Sequence, residues 1–372
     1  MNILFVIPSL MRAGAERVVV NTCNELVKDP GNKVSIYLIQ NKNEYQSELD
    51  DRISVVGGGV SFHLSLYKKN HIENAKYVDF VNQFKPDVIH SHLFFGDILS
   101  HSYHVEGARY FSHLHNSKIE NYNGFELNRI TSKSMWTNRY EYKWLIARYT
   151  SFGTSFIACS AGAQRLHKEK IQVGHVITLP NAIPLPKATS SMKEMGEVLQ
   201  LIWIGRLNEV KRPKIAISIA HRLKEIGIPF HLKIAGIGPE LENCRAKIQQ
   251  LSLEVHVEMM GLVADLQPIY HQANLMIHTS QYEGLPMVFI EAGANGIPII
   301  TTDCLPENDI IENGVNGRII PSEEIEDFTR AISEMINTPK SYQELSRNAR
   351  KRAEEFGIEQ YVQKLVLFYT KN

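Results

Sequence analysis

Two glutamates, Glu283 and Glu291, frame the segment of this chain with the most chemical content, Gln281-Tyr-Glu-Gly-Leu-Pro-Met-Val-Phe-Ile-Glu291. Gly284 leaves room for close backbone approach, and Pro286 suits the first position of a helix. The spare N–H groups of Leu285, Met287 and Val288 would then point at an anion, aided by the helix dipole. Glu291 falls a turn or more inside that helix. A carboxylate there can accept hydrogen bonds from ribose hydroxyls, as the acidic residue of dinucleotide folds does. Glu283 precedes the helix and is left to face a reacting group. A second set is Gly205-Arg206-Leu207-Asn-Glu-Val-Lys211, directly after an apolar run. Arg206 offers a planar fork matched to phosphate, and Lys211 a point charge. Two cations there would stabilise a departing diphosphate more in the transition state than in the ground state. Each set also has a plain structural reading: a loop acid, a Pro-started helix with a solvated glutamate, and two surface charges.

Weaker signals stand beside these. Arg12-Ala-Gly14-Ala-Glu16 is a Gly loop opening a helix, but it is not G-x-G-x-x-G and gives little support to a nicotinamide site. His113-Leu-His115-Asn116 ends one strand, and His90 and His92 end another. Alternation puts His113 and His115 on one face. No Glu or Cys cluster joins them, so hydrogen bonding to a substrate, or a satisfied structural role, is preferred over metal ligation. Gly236-Ile-Gly238-Pro239-Glu240 is a further strand-to-helix turn that would shape a wall of the site.

The elements that must position these residues alternate. Strands are expected over Asn2–Ile7, Lys33–Gln40, Asp87–His90, Arg109–His113, Ser155–Cys159 and His175–Leu179. Helices fall between them, including Ala15–Lys28 and one ending at Phe84. Residues Lys118–Ser151, rich in aromatics and bases, read as mostly helix with loops. After a Pro- and Ser-containing linker to about Glu197, the rhythm restarts. Strands are expected over Leu199–Ile204, Phe230–Ala235, Val255–Met259, Leu275–His278 and Ile297–Thr301, with helices over Pro213–Ile226, Glu240–Leu251, Glu323–Asn337, Tyr342–Glu355 and Ile358–Thr370. This is the pattern of two doubly wound parallel sheets of the α/β class, with ligands expected at the carboxyl ends of the strands in a central cleft.

Composition sets limits. The 372 residues are 44% hydrophobic and 22% charged, which allows real cores in two domains. Lys+Arg and Asp+Glu are both 40, an even balance that argues against a dedicated nucleic-acid binder. Cys23, Cys159, Cys244 and Cys304 form no C-x-x-C pair, which disfavours a zinc ribbon and fits a reducing, cytoplasmic compartment. The N-terminal apolar run is short and lacks a basic flank, so it reads as a first strand and not a signal peptide. No stretch approaches the ~20 apolar residues of a membrane span, so any membrane contact would be peripheral.

Together these residues resemble glycosyltransferase family 4, the retaining transferases of the GT-B fold, over nearly the whole chain. Glu283 and Glu291 reproduce its E-x7-E spacing, and Arg206 and Lys211 its G-R-L…K clamp. Gly14-Ala15-Glu16 is similar to its first Gly-rich loop, with Ala13 where many members have Gly. His115 matches its N-domain histidine, with Leu114 where Glu is frequent. Pro180-Asn181-Ala182 resembles its P-N-G interdomain segment. The resemblance implies two Rossmann-like domains. Residues 1–180 would form the acceptor side, with the helix at about 356–372 packing back on it, and residues 181–355 would bind the nucleotide sugar. It implies that Arg206 and Lys211 bind the diphosphate, Glu291 the ribose, and Glu283, Gly284 and the amides of Leu285, Met287 and Val288 the sugar and phosphate. Gly14 would meet the donor, and His115 would hydrogen-bond its sugar. No metal or other cofactor is expected. The donor would be a nucleotide sugar, a UDP-sugar first. The acceptor would be a glycan or lipid-linked glycan of cell-surface polysaccharide or glycolipid assembly, reached at the inner face of the cytoplasmic membrane. The alternatives are a GT-B-shaped nucleotide-sugar epimerase and a non-catalytic sugar-nucleotide-binding protein.

Overall fold

The computed structural model describes all residues except 65–70, 116–132, 187–194, 306–309, 322–323 and 372. The chain divides into two compact units. Unit 1 is Met1–Pro184 with Ile358–Asn372, and unit 2 is Leu185–Gly357.

In chain order, unit 1 holds β1 (Asn2–Ile7), α1 (Gly14–Leu26), β2 (Lys33–Leu38), β3 (Ser54–Gly57), β4 (Ser61–His63), β5 (His71–Glu73), α2 (Ala75–Phe84), β6 (Val88–His92), α3 (Leu93–Ser100), β7 (Arg109–Leu114), α4 (Lys133–Phe152), β8 (Ser155–Ala158), α5 (Ala161–Leu166) and β9 (Val176–Thr178). Its main sheet runs β3-β2-β1-β6-β7-β8-β9, every neighbouring pair parallel. Its central strands β1, β6 and β8 are buried on both faces, which is why residues 3–7 read as an unbroken apolar run.

Unit 2 holds β10 (Leu199–Ile204), α6 (Pro213–Glu225), β11 (Phe230–Ala235), α7 (Leu241–Gln250), β12 (Val257–Gly261), α8 (Gln267–Gln272), β13 (Leu275–His278), α9 (Met287–Ala294), β14 (Ile299–Thr302), β15 (Gly317–Ile320), α10 (Ile325–Asn337) and α11 (Pro339–Glu354). Its sheet runs β12-β11-β10-β13-β14-β15, also all parallel. Trp203, fully buried, centres a core with Ile217, Leu232, Ile277 and Phe328. The last helix, α12 (Ile358–Lys371), returns to unit 1. It buries Ile358, Tyr361, Leu365, Phe368 and Tyr369 in the core built on β1 and α1. Full burial of one such side chain stabilises by about 1.5–3 kcal/mol, so this helix is part of unit 1's core.

The strands expected over Asn2–Ile7, Leu199–Ile204, Phe230–Ala235 and Leu275–His278 have those bounds. Other bounds shift by up to three residues; β14 starts at Ile299 and not Ile297, and α11 at Pro339 and not Tyr342. Pro286 caps α9 from outside, and the helix starts at Met287. The described part of the aromatic-basic stretch is helix, α4, as expected; its earlier part, where the expected loops would fall, lies outside the described residues, as does much of the linker. The strand expected from Val255 begins two residues later, because the chain first turns through Leu253–His256.

Both sheets are doubly wound, and each has one point where strand order reverses, between β1 and β6 and between β10 and β13. Ligands of such sheets bind beyond the strand ends at that point.

Candidate active site

In unit 2 the two strands flanking the reversal carry the two strongest sequence motifs. Arg206 and Lys211 follow β10, and Glu283 follows β13. The loops are laced together. Arg212, held at φ 49°, donates from Nε to the Thr279 carbonyl at 2.9 Å and from Nη2 to the Ser280 carbonyl at 3.2 Å. The Thr279 hydroxyl bonds the carbonyls of Lys211 and Arg212 at 2.9 and 3.0 Å and accepts the Trp203 indole N–H at 3.0 Å. The Gln281 amide bonds the Val210 carbonyl at 2.8 Å.

Gly236 and Gly238 support this platform from β11. At Gly236 (φ 148°) an added Cβ would sit 1.9 Å from the Gly205 carbonyl oxygen, and at Gly238 2.3 Å from that of Leu207. The expected wall is thus a backbone-to-backbone contact that only glycine allows.

Glu283 is the electrostatic centre. One carboxylate oxygen takes both the Lys211 ammonium and a 2.9 Å hydrogen bond from His278 Nε2. A carboxylate only accepts, so His278 carries its proton on Nε2. Burial alone would raise the Glu283 pKa, but the His278 hydrogen bond and the Lys211 charge outweigh it and bring it down to about 2. Burial holds His278 below its ordinary value, so it is a neutral donor. Glu283 is therefore ionised, and its charge is already matched by Lys211. Arg206, by contrast, is exposed and makes no side-chain hydrogen bond or ion pair among the described residues.

Glu291 lies five residues into α9 and accepts the Tyr270 hydroxyl at 2.7 Å. Met287 and Val288 supply first-turn amides of α9, while Gly284 and Leu285 are buried in the approach.

Sequence reasoning missed His278, Tyr270 and Arg212. His278 ends an apolar strand, where a histidine resembles any core residue. Tyr270 belongs to another element, α8. Arg212 follows Lys211, and one more base in a loop carries no signal of its own.

In unit 1, Gly14 opens α1 just beyond β1. A Cβ there would meet nothing within 4 Å, so the fold's own packing does not demand glycine. His115 follows β7, and its ring stacks on His113 at 4.3 Å and 8°. His90, His92 and His113 are buried, and burial lowers the pKa of all four rings, His90 and His115 to about 3. At neutral pH all four are uncharged. Ring nitrogens of His90, His92 and His113 lie within 4.8 Å of one another, close enough to consider a shared cation. The rings pack at interplanar angles of 11–36°, so their in-plane lone pairs run side by side more than they converge. No carboxylate joins the group among the described residues. Asn116 lies outside the described residues.

Comparisons with known proteins agree with the fold. The model for Glycosyltransferase Family 4 matches residues 12–186, and that for Glycosyl transferases group 1 matches residues 191–352. An uncharacterized glycosyltransferase of Haemophilus influenzae is 28% identical over 210 residues, 56% of this chain and 58% of that protein. The match thus spans little more than half of that relative's length. EpsF of Bacillus subtilis, a protein named as a glycosyltransferase, is 25% identical over 348 residues, 89% of this chain and 87% of that one. Among solved structures, a variant of Staphylococcus aureus TarM in complex with UDP, α-GlcNAc-glycerol and fondaparinux superposes with a TM-score of 0.79. It is 14% identical and covers 99% of this chain and 100% of its own. That likeness shows the fold, GT-B. Among the described residues, no helix is long and apolar enough to cross a membrane.

Proposed function

We propose that this chain, which belongs to glycosyltransferase family 4, is a retaining enzyme that moves a sugar from a nucleotide-sugar donor to a glycan or lipid-linked glycan acceptor. The observation that carries the reading is the gathering of Arg206, the Lys211–Glu283–His278 group and the start of α9 at the strand-order reversal of unit 2. Arg206 receives the diphosphate, joined by the Met287 and Val288 amides. Lys211 shares its charge between Glu283 and the phosphate. Glu291, oriented by Tyr270, takes the ribose hydroxyls. Glu283, fixed and ionised, faces the sugar as positive charge grows at its anomeric carbon. His115, in unit 1, donates a hydrogen bond to a substrate hydroxyl, and Gly14 leaves its backbone open to the donor.

The reaction breaks the bond between the anomeric carbon and the phosphate oxygen and forms one to the acceptor oxygen on the same face. The acceptor proton passes to the departing phosphate oxygen. Cationic side chains and helix amides do the work a divalent metal does elsewhere, so none is required. The donor is a UDP-sugar, in keeping with the UDP in the TarM complex. The acceptor belongs to cell-surface polysaccharide or glycolipid assembly and is met by peripheral contact at the inner face of the cytoplasmic membrane.

A thermal-shift screen of UDP-, GDP- and ADP-sugars tests this. A UDP-sugar at 100 times its dissociation constant adds about 2.7 kcal/mol and should raise the melting temperature by several degrees. Proton NMR of the product should show the donor's anomeric configuration retained. No shift with any nucleotide sugar, or an inverted product, would overturn the reading.

A further inference from the structure

We propose that His92 fixes the tautomer of His115, so that His115 presents a protonated Nδ1, and not a bare nitrogen, to its ligand. The proposal rests on the reading of His115 as a substrate contact. It makes His92 a positioning residue.

The two rings are joined by one hydrogen bond, His92 Nδ1 to His115 Nε2 at 2.8 Å. Both are neutral, because burial disfavours their charged forms. One proton must lie between them, on one ring or the other. The rest of His92 decides which. Its side chain is fully buried, and its Nε2 has no hydrogen-bond partner among the described residues. Around it stand the Phe5 ring at 5.6 Å, His90 at 4.4 Å and His113 at 5.0 Å between centroids. If His92 were protonated on Nε2, that N–H would be a stranded donor. If it is protonated on Nδ1, the stranded atom is a bare acceptor; among buried backbone groups an orphaned N–H is rarer than an under-satisfied acceptor, and we carry that preference over to the ring. His92 therefore donates from Nδ1, and His115 Nε2 accepts. A neutral imidazole carries one proton, so that of His115 lies on Nδ1. A ligand oxygen meeting His115 then meets a donor.

The scaffold keeps both rings in place. His92 and His113 are register partners on β6 and β7, and His113 stacks on His115. On the opposite face of the same strands, the hydroxyls of Ser91 and Ser112 both bond Asp97 of α3, at 2.5 and 3.0 Å, and Tyr149 of α4 adds a third bond at 2.9 Å. Strand ends tied in this way cannot shift to let His92 find another partner.

The test is 15N NMR of histidine-labelled protein at neutral pH, with the His115 signals assigned by their loss in His115→Gln. Protonated and bare ring nitrogens resonate far apart. The expected wild-type pattern is a protonated Nδ1 and a bare Nε2 on His115. In His92→Leu the proton should move toward Nε2, and kcat should fall about tenfold with donor KM within about twofold, the loss of one oriented hydrogen bond. His92→Asn keeps a donor near the Nδ1 position and should recover most of that kcat. A wild-type His115 protonated on Nε2, or a folded His92→Leu enzyme with unchanged kcat, would overturn the proposal. Unchanged turnover in His115→Ala would instead remove the functional reading of His115, while the NMR pattern would still decide the tautomer.

Discussion

Removing the Lys211 charge should destabilise unit 2 through Glu283, independently of any effect on catalysis. The Glu283 side chain is only 10% exposed, and its carboxylate stays ionised through two partners, His278 and Lys211. Its pKa falls from 4.5 to about 2 in the folded chain, which corresponds to about 3 kcal/mol of stability at neutral pH. Because the folded value is depressed, that stability is fully present above about pH 4.5. It fades as pH drops toward 2, with about half gone near pH 3. Lys211→Met takes away the ammonium and leaves His278 donating to the buried carboxylate. Removing one partner of a buried pair typically costs about 3–5 kcal/mol, and the surviving His278 bond reduces this to about 2–3. Glu283→Gln should cost less, since it removes the buried charge along with its partner's need. Urea unfolding of wild type, Lys211→Met, Glu283→Gln and the double variant at pH 7 closes the cycle, with a coupling of at least ~1 kcal/mol expected. Additivity within ~0.3 kcal/mol would show that Lys211 and Glu283 do not depend on one another, and the electrostatic description of the site would fail.

Three further outcomes follow from the same geometry. Arg206→Ala should lower kcat/KM by roughly 10²–10³, the loss expected from one charge-stabilising donor at a leaving group, while leaving stability unchanged because the side chain is exposed; a rate within a few-fold of wild type would refute its role. Gly236→Ala should destabilise unit 2 by more than 1 kcal/mol in urea, because its Cβ would overlap the Gly205 carbonyl, whereas Gly14→Ala should leave stability untouched and weaken donor binding alone. Transfer should survive EDTA; abolition with rescue by Mg²⁺ or Mn²⁺ would show that the phosphate site has been misassigned.

The sequence made the sheets legible because parallel strands buried on both faces are short, unbroken apolar runs between turn signals. Leu199–Ile204 and Leu275–His278 could be bounded to the residue. β3 and β15, no shorter than β13, are edge strands that are only partly buried, so Ser-Val-Val-Gly and Gly-Arg-Ile-Ile make no clean apolar run, and the antiparallel pair β4–β5 is too short to show a period. α3 was hidden because Leu-Phe-Phe-Gly-Asp-Ile-Leu-Ser is apolar around most of its surface. The first residues of the site were legible from type and spacing. Their supports were not, because support is made across elements. His278 reaches Glu283 from a strand end, Tyr270 reaches Glu291 from α8, and His92 reaches His115 from the next strand. Nor could the sequence show that Lys211 is already engaged while Arg206 has no side-chain partner among the described residues. That distinction depends on the Glu283 loop lying beside the β10 loop, a consequence of strand order.

The central claim is that unit 2 binds the nucleotide of the donor, and calorimetric titration with UDP tests it most directly. Wild-type protein should bind UDP. Glu291→Ala should weaken that binding at least tenfold, since the ribose loses a carboxylate acceptor, a charged hydrogen bond of about 1.5–3 kcal/mol, and Tyr270→Phe should weaken it less. His115→Ala should leave UDP affinity within about twofold of wild type while still lowering turnover. UDP binding that is lost in His115→Ala and intact in Glu291→Ala would place the nucleotide on unit 1 and contradict the account.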